Sequence, residues 1–150
     1  MTENTAKTGM LIRKPIDKVF NSFIDPELTK NFWFTKSSGK LEVGKNTVWT
    51  WEMYNHTVSV FTKEIEINKR IVIEWGNYSE KTTVEWTFEE FGADKTFVTI
   101  ENFGFVGDTQ QIVKQISDAT EGFSLVLAGL KAFLEHNIKL NLVADRFPKE

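Results

Sequence analysis

The chain has 150 residues, 41% hydrophobic and 26% charged, with 18 Lys and Arg against 21 Asp and Glu for a net charge of −3. That is the balance of one ordinary globular domain, too short for two enzyme domains and without the positive field that attracts nucleic acid or an anionic membrane. The lack of Cys excludes disulfides, thiol catalysis, iron–sulfur clusters and thiolate zinc sites, and two His, His56 and His136, are too few for a His-rich metal centre.

Aromatic content departs from the average, with 13 Phe, 5 Trp and 2 Tyr. No apolar run approaches the roughly 18 residues of a membrane span, and the opening residues carry no signal-peptide pattern. The expectation is therefore a single domain over residues 1–150, cytoplasmic, with neither membrane nor nucleic acid as partner. Gly104-Phe105-Val106-Gly107 lacks the spacing and the Lys of a phosphate loop, and no Gly-x-Ser-x-Gly nucleophile motif occurs. No cofactor, metal or catalytic residue is expected.

Thr2 to Arg13, with Met10-Leu11-Ile12, reads as a first strand. Pro15 then suits a helix's first turn, and Ile16, Val19, Phe20 and Phe23 follow at helical spacing. Asp25-Pro26 breaks that helix, and Asp25 can cap a second short one from Glu27 to about Phe32, with Leu28, Phe32 and Trp33 apolar. From Gly39 the period becomes two. Strands are predicted at Lys40 to Lys45, Val48 to Tyr54, Thr57 to Asn68, Arg70 to Gly76, Thr82 to Glu90 and Thr96 to Phe103. Asn55-His56 and Gly92-Ala93-Asp94 fall at turns. Val58 and Val60 share one phase and Ile65 and Ile67 the other, which predicts a β-bulge between Phe61 and Glu64. Asp108 caps a final helix, apolar from Ile112 to Ile138, of roughly 29 residues or about 43 Å.

Strands in one run beside helices define an α+β fold. Six or seven strands span roughly 30 Å, whereas one helix is only about 10 Å wide. The antiparallel sheet must therefore curve around the long C-terminal helix, with the two short helices after the first strand at its mouth. Space left over is filled by large side chains or stays open as a pocket.

This order resembles the helix-grip fold of the START and birch-allergen-like (SRPBCC) superfamily, and within it the Activator of heat-shock-protein-90 ATPase homologue-like family. The resemblance spans about residues 8 to 140. It rests on Ile16-Asp17-Lys18-Val19-Phe20 with Asp25-Pro26 and Trp33, on Arg70-Ile71-Val72-Ile73-Glu74-Trp75, and on Thr96 through Phe105. Glu121-Gly122-Phe123, Leu127, Leu130-Lys131 and Leu134-Glu135 complete it. The family usually carries Trp about where Phe123 stands, and often His or Thr where Asn102 stands. The resemblance implies a hydrophobic ligand held between sheet and long helix.

Candidate ligand-binding residues are the inward aromatics Trp49, Trp51, Trp75, Trp86 and Phe88, with Phe123 and Leu127 of the last helix facing them. Aromatic stripes at strand spacing are more often core than pocket, but a buried indole N–H needs an acceptor, and several Trp around one curved sheet call for polar partners or a wet cavity. Asn102 shares the inward phase of Val98 and Ile100; a buried amide must meet a protein group, water or ligand. His56 and His136 read as exposed or structural. Glu64 lies at the bulge, which leaves its direction open; it is the one sheet carboxylate to watch as an acid or base, and the two tyrosines are the other titratable groups to locate.

Binding of a small hydrophobic or aromatic molecule is the favoured function. The alternatives are a cavity-based enzyme of cyclase or hydrolase type, for which no paired His and carboxylate stand in one phase, and a chaperone-interacting protein, which the resemblance implies but the single-domain length disfavours. Composition leaves a homodimer open.

Overall fold

The structure is a computed structural model that describes residues 4–76 and 80–148. Seven strands form one antiparallel sheet: β1 (Thr5–Ile12), β2 (Lys36–Ser37), β3 (Asn46–Trp51), β4 (His56–Glu66), β5 (Arg70–Trp75), β6 (Thr82–Glu90) and β7 (Thr96–Phe103). Their order is β1-β7-β6-β5-β4-β3-β2, so β2 to β7 form a meander and β1 joins at its far edge beside β7. Helices α1 (Ile16–Ile24) and α2 (Pro26–Thr29) lie in the connection from β1 to β2, and α3 (Thr109–His136) and α4 (Leu142–Arg146) follow β7. The fold is the expected α+β arrangement of a curved sheet, a long helix near the C-terminus and two short helices after the first strand.

Local chemistry explains the boundaries. Pro15 sits at the N-cap of α1, one position earlier than its predicted place in the first turn. The Asp25 side chain accepts from the Glu27 N–H, 3.0 Å away, to start α2. At α3 the Asp108 side chain accepts from the Gln111 N–H while the Gln111 side chain accepts from the Asp108 N–H, a reciprocal capping box. Asn137, at φ 54°, ends the helix in a left-handed turn. The pairing of β4 with β5 shifts between Thr62 and Glu64, which leaves Lys63 as the extra residue of the predicted bulge.

Three predicted elements are corrected. Lys40 to Lys45 is not a strand: only Gly44 and Lys45 bond a neighbour, Thr62 of β4 (2.9 and 3.1 Å), while the Leu41 N–H reaches the Ile24 carbonyl (3.4 Å) at the end of α1 and the Leu41 side chain is buried. The strand begun at Val48 ends at Trp51, and Glu52–Tyr54 form a 3-10 turn closed by Asn55 in the left-handed region. The second short helix stops at Thr29 rather than near Phe32. The following residues turn back so that Thr35 bonds the Thr50 carbonyl of β3 through both its N–H and its hydroxyl, each at 2.9 Å.

One sheet face is the core. Trp49, Trp51, Val60, Ile71, Ile73, Val84, Trp86, Phe88, Val98 and Ile100 are buried on it, and α3 supplies Phe123, Val126, Leu127 and Leu130. The opposite face carries a polar ladder in which Arg70 of β5 bridges Glu64 of β4 (2.8 Å) and Glu85 of β6. The Glu85 hydrogen bond is the main cause of the raised Arg70 pKa.

The last turns of α3 are tied to the end of β1. Lys131 Nζ donates to the Leu11 carbonyl (2.8 Å) and to Glu135 (2.7 Å), and the Arg13 N–H donates to Glu135 Oε2 (2.8 Å). Burial pushes the Glu135 carboxyl pKa up, but the Arg13 N–H and the Lys131 ammonium outweigh that and hold it below the ordinary 4.5. A folded value below the unfolded one contributes stability that is complete above about 4.5 and is lost as pH falls through the folded value. Glu135→Ala is expected to cost about 1–3 kcal/mol at pH 7 and less at pH 3, as measured by urea unfolding at both pH values.

Two glycines of α3 make opposite predictions. A Cβ at Gly129 would meet Phe32 Cβ at 3.2 Å and the Phe32 carbonyl at 3.4 Å, whereas at Gly122 it would meet nothing within 4 Å. Gly129→Leu should overpack this contact and lower stability by about 1–3 kcal/mol. Gly122→Ala should raise it by roughly 0.5–1 kcal/mol through helix propensity alone. Thermal denaturation of the two variants checks both signs.

Candidate functional site

Most of the space between broad sheet and narrow helix is filled by rings, and Trp33 is their hub. It stands on the turn between α2 and β2, fixed by its N–H to the Thr29 carbonyl (3.1 Å). Its ring lies 4.9 Å from Trp49, 5.9 Å from Trp75, 6.0 Å from Trp86 and 5.8 Å from Phe123. Trp75 stacks on Phe123 at 5.8 Å, and Phe20 and Phe23 of α1 close over Phe88.

Beside this cluster lies an open cleft of about 730 Å³, between the first half of α3, the ends of β5 and β7, and the C-terminal segment. Trp33, Trp75 and Phe123 give it an aromatic floor, with Phe105, Ala119 and Val126 alongside. Of the eight sequence candidates, Trp75, Asn102 and Phe123 line the cleft. Trp49, Trp51, Trp86, Phe88 and Leu127 do not; they are packed in the core, at most 7% exposed.

The wall facing α3 is made by the segment after it, through Val143, Arg146 and Phe147. Polar contacts at two points help to hold that segment. The Tyr54 hydroxyl donates to the Val143 carbonyl, with the Ala144 carbonyl 3.2 Å away. Arg146 grips Glu121 of α3 with Nε at 2.5 Å and a terminal nitrogen at 3.1 Å, and lies 4.4 Å over the Phe147 ring. The Glu121 hydrogen bond and charge raise the Arg146 pKa. Lys114 pairs with Asp118 at 2.8 Å on the same rim. Each carboxylate of the cleft is thus engaged by a cation, and no histidine lines it among the described residues.

Asn102 is 3% exposed. Its amide nitrogen donates to Thr82 Oγ1 (3.0 Å) and to the Thr83 carbonyl (2.8 Å), both at the start of β6. The Trp86 indole behaves differently: its N–H is sealed from solvent without a partner, as is the Thr62 hydroxyl. An orphaned buried donor costs about 1–3 kcal/mol. His56 and His136 are exposed, and His56 packs beside the Trp51 ring at 5.9 Å. Glu64 is exposed and ion-paired to Arg70, away from the cleft. Of the tyrosines, Tyr54 lines the cleft and Tyr78 lies outside the described residues. Among the described residues there is no group of three or more His, Cys, Asp or Glu suited to a metal, and no helix long and apolar enough to cross a membrane.

The sequence reading did not single out Trp33, Tyr54, Phe105, Val143, Arg146 or Phe147 as site residues. For Trp33 a signal existed, since the chain must reverse after a Pro-started helix and Trp33 is the largest apolar residue at that point. For the C-terminal segment the only local signs were Asn137 and Asn141, both left-handed in the structure.

A curved antiparallel sheet closed on a long C-terminal helix, with an aromatic cleft beside that helix, defines the helix-grip class. Residues 13–135 match the family described as Activator of Hsp90 ATPase homolog 1-like protein, and the chain belongs to that family. The protein SSP2350 of Staphylococcus saprophyticus is 34% identical over 91% of this chain and 95% of its own, with a TM-score of 0.78. Two more distant structures share the fold. The Aha1 dimer from Colwellia psychrerythraea is 16% identical, with 91% and 98% coverage and a TM-score of 0.76. DynU16, of the dynemicin biosynthetic locus, is also 16% identical, covering 92% of this chain and 49% of its own, with a TM-score of 0.80. No curated protein matches the chain.

If Tyr54 and Glu121 hold the cleft's outer wall, the double variant Tyr54→Phe/Arg146→Gln should speed amide exchange in Leu142–Arg146 by about tenfold. Exchange in β6 and β7 should not change. Site-resolved hydrogen exchange measures both.

Proposed function

We propose that this protein binds a small, largely apolar aromatic molecule in the cleft beside α3. The aromatic floor carries the reading. Trp33, Trp75 and Phe123 present ring faces and edges to an opening of about 730 Å³, which is the size and lining of a small-molecule site. The five other candidates, Trp49, Trp51, Trp86, Phe88 and Leu127, support the floor from behind by packing.

Binding is favoured over proton-transfer catalysis because the titratable groups at the rim are engaged: Lys114 with Asp118, Glu121 with Arg146, and Tyr54 with the Val143 carbonyl. It is favoured over chaperone docking because the distinctive surface is concave and faces inward, whereas a protein partner reads an exposed face. The place of DynU16 in a biosynthetic locus accords with a small-molecule role for this fold.

The test uses benzofuran as a neutral aromatic probe and follows the Trp33 and Trp75 indole resonances by NMR. Saturable shifts are expected, with a Kd of roughly 1 mM for so small a molecule. Gly122 lines the cleft and has open space where its Cβ would lie. Gly122→Leu should therefore keep the fold and abolish the shifts. Absence of saturable shifts in the parent protein, or equal shifts in folded Gly122→Leu, would overturn the reading.

A further inference from the structure

We infer that Asn102 Oδ1 is a fixed hydrogen-bond acceptor in the cleft, and that the preferred occupants are flat aromatic molecules carrying an O–H or N–H donor. This rests on the cleft being the binding site and specifies what it selects.

The orientation of an Asn amide has to be deduced from its partners. Here the Thr83 main-chain oxygen, 2.8 Å away, settles it, because a carbonyl can only accept and so must face the NH2 group. The second N–H goes to Thr82 Oγ1 at 3.0 Å. Both donors are thereby used on β6, and the planar amide holds Oδ1 on the other side. That oxygen accepts no hydrogen bond from any described residue, although the side chain is 3% exposed and lines the cleft. Asn102 is held there by register, opposite Val84 of β6 and Ala6 of β1, on the same inward phase as Val98 and Ile100.

Oδ1 is not among the side-chain atoms sealed from solvent without a partner, so water can meet it in the free protein, and a ligand that supplies a donor keeps that hydrogen bond while it covers the floor. A ligand that covers Oδ1 with carbon or an ether oxygen displaces any water there and leaves the acceptor empty. The floor rings set the shape of the ligand, and Asn102 sets where its donor must lie.

Indole and benzofuran test this, because they match in shape and differ in one ring position, N–H against O. Affinities for both are measured by NMR titration in the parent protein and in Asn102→Ala. The preference for indole relative to benzofuran is expected to fall about three- to tenfold in Asn102→Ala. In the parent protein, the Asn102 side-chain amide signals should shift with indole and much less with benzofuran. That second measurement decides the matter if Asn102→Ala does not fold. An unchanged preference in folded Asn102→Ala, or equal amide shifts with the two probes, overturns the acceptor role while leaving the cleft reading standing. Failure of both probes to bind overturns the cleft reading and the selectivity with it.

Discussion

A helix of about 10 Å diameter set against a sheet of seven strands leaves apolar surface that only bulky side chains can cover. This mismatch in width governs the structure. It explains why the inward stripe is written in Trp and Phe rather than Val and Ile, and why the chain spends two short helices and a turn on carrying Phe20, Phe23 and Trp33 across the sheet. Trp33 touches rings from β3, β5, β6 and α3 and so joins parts of the core that the helix alone cannot reach. The cleft begins where that filling stops, beside α3 at Trp75 near the end of β5 and Asn102 near the end of β7.

The same mismatch leaves polar groups in an apolar setting. Asn102 resolves half of its own hydrogen-bonding need through β6, and the Trp86 indole resolves none. Several large rings can be packed at good density more readily than each of their N–H groups can be given an acceptor, because acceptors in a sheet are already committed to the ladder.

Much of this architecture is legible in the sequence because it depends on short-range periodicity. β6 and β7 run where strict alternation places them, Thr82 to Glu90 and Thr96 to Phe103, and the phase slip around Lys63 is the bulge. α3 follows from its apolar spacing and Asp108. What is not legible depends on partners distant in the chain. Lys40 to Lys45 alternates as a strand does, but Leu41 meets the end of α1 and only Gly44 and Lys45 bond a strand, at Thr62 of β4. Trp49, Trp51 and Trp86 share the phase of Trp75, yet only Trp75 reaches the cleft, a difference set by the position of Trp33 and by distance along the strands. The outer wall could not be read because Val143, Arg146 and Phe147 are placed by Tyr54 and Glu121, through contacts across 89 and 25 residues of chain.

That outer wall lies beyond residue 135, where the family match ends, and it is joined to the rest by a few polar contacts, by Val143 against the edge of the core and by Phe147 beside Tyr54. Substitutions in this short tail can recontour the opening at little thermodynamic risk to the scaffold, whereas changes to the floor disturb the hydrophobic core. Under the proposed function, the shape of the opening can thus change at the outer wall with the shared grip left intact.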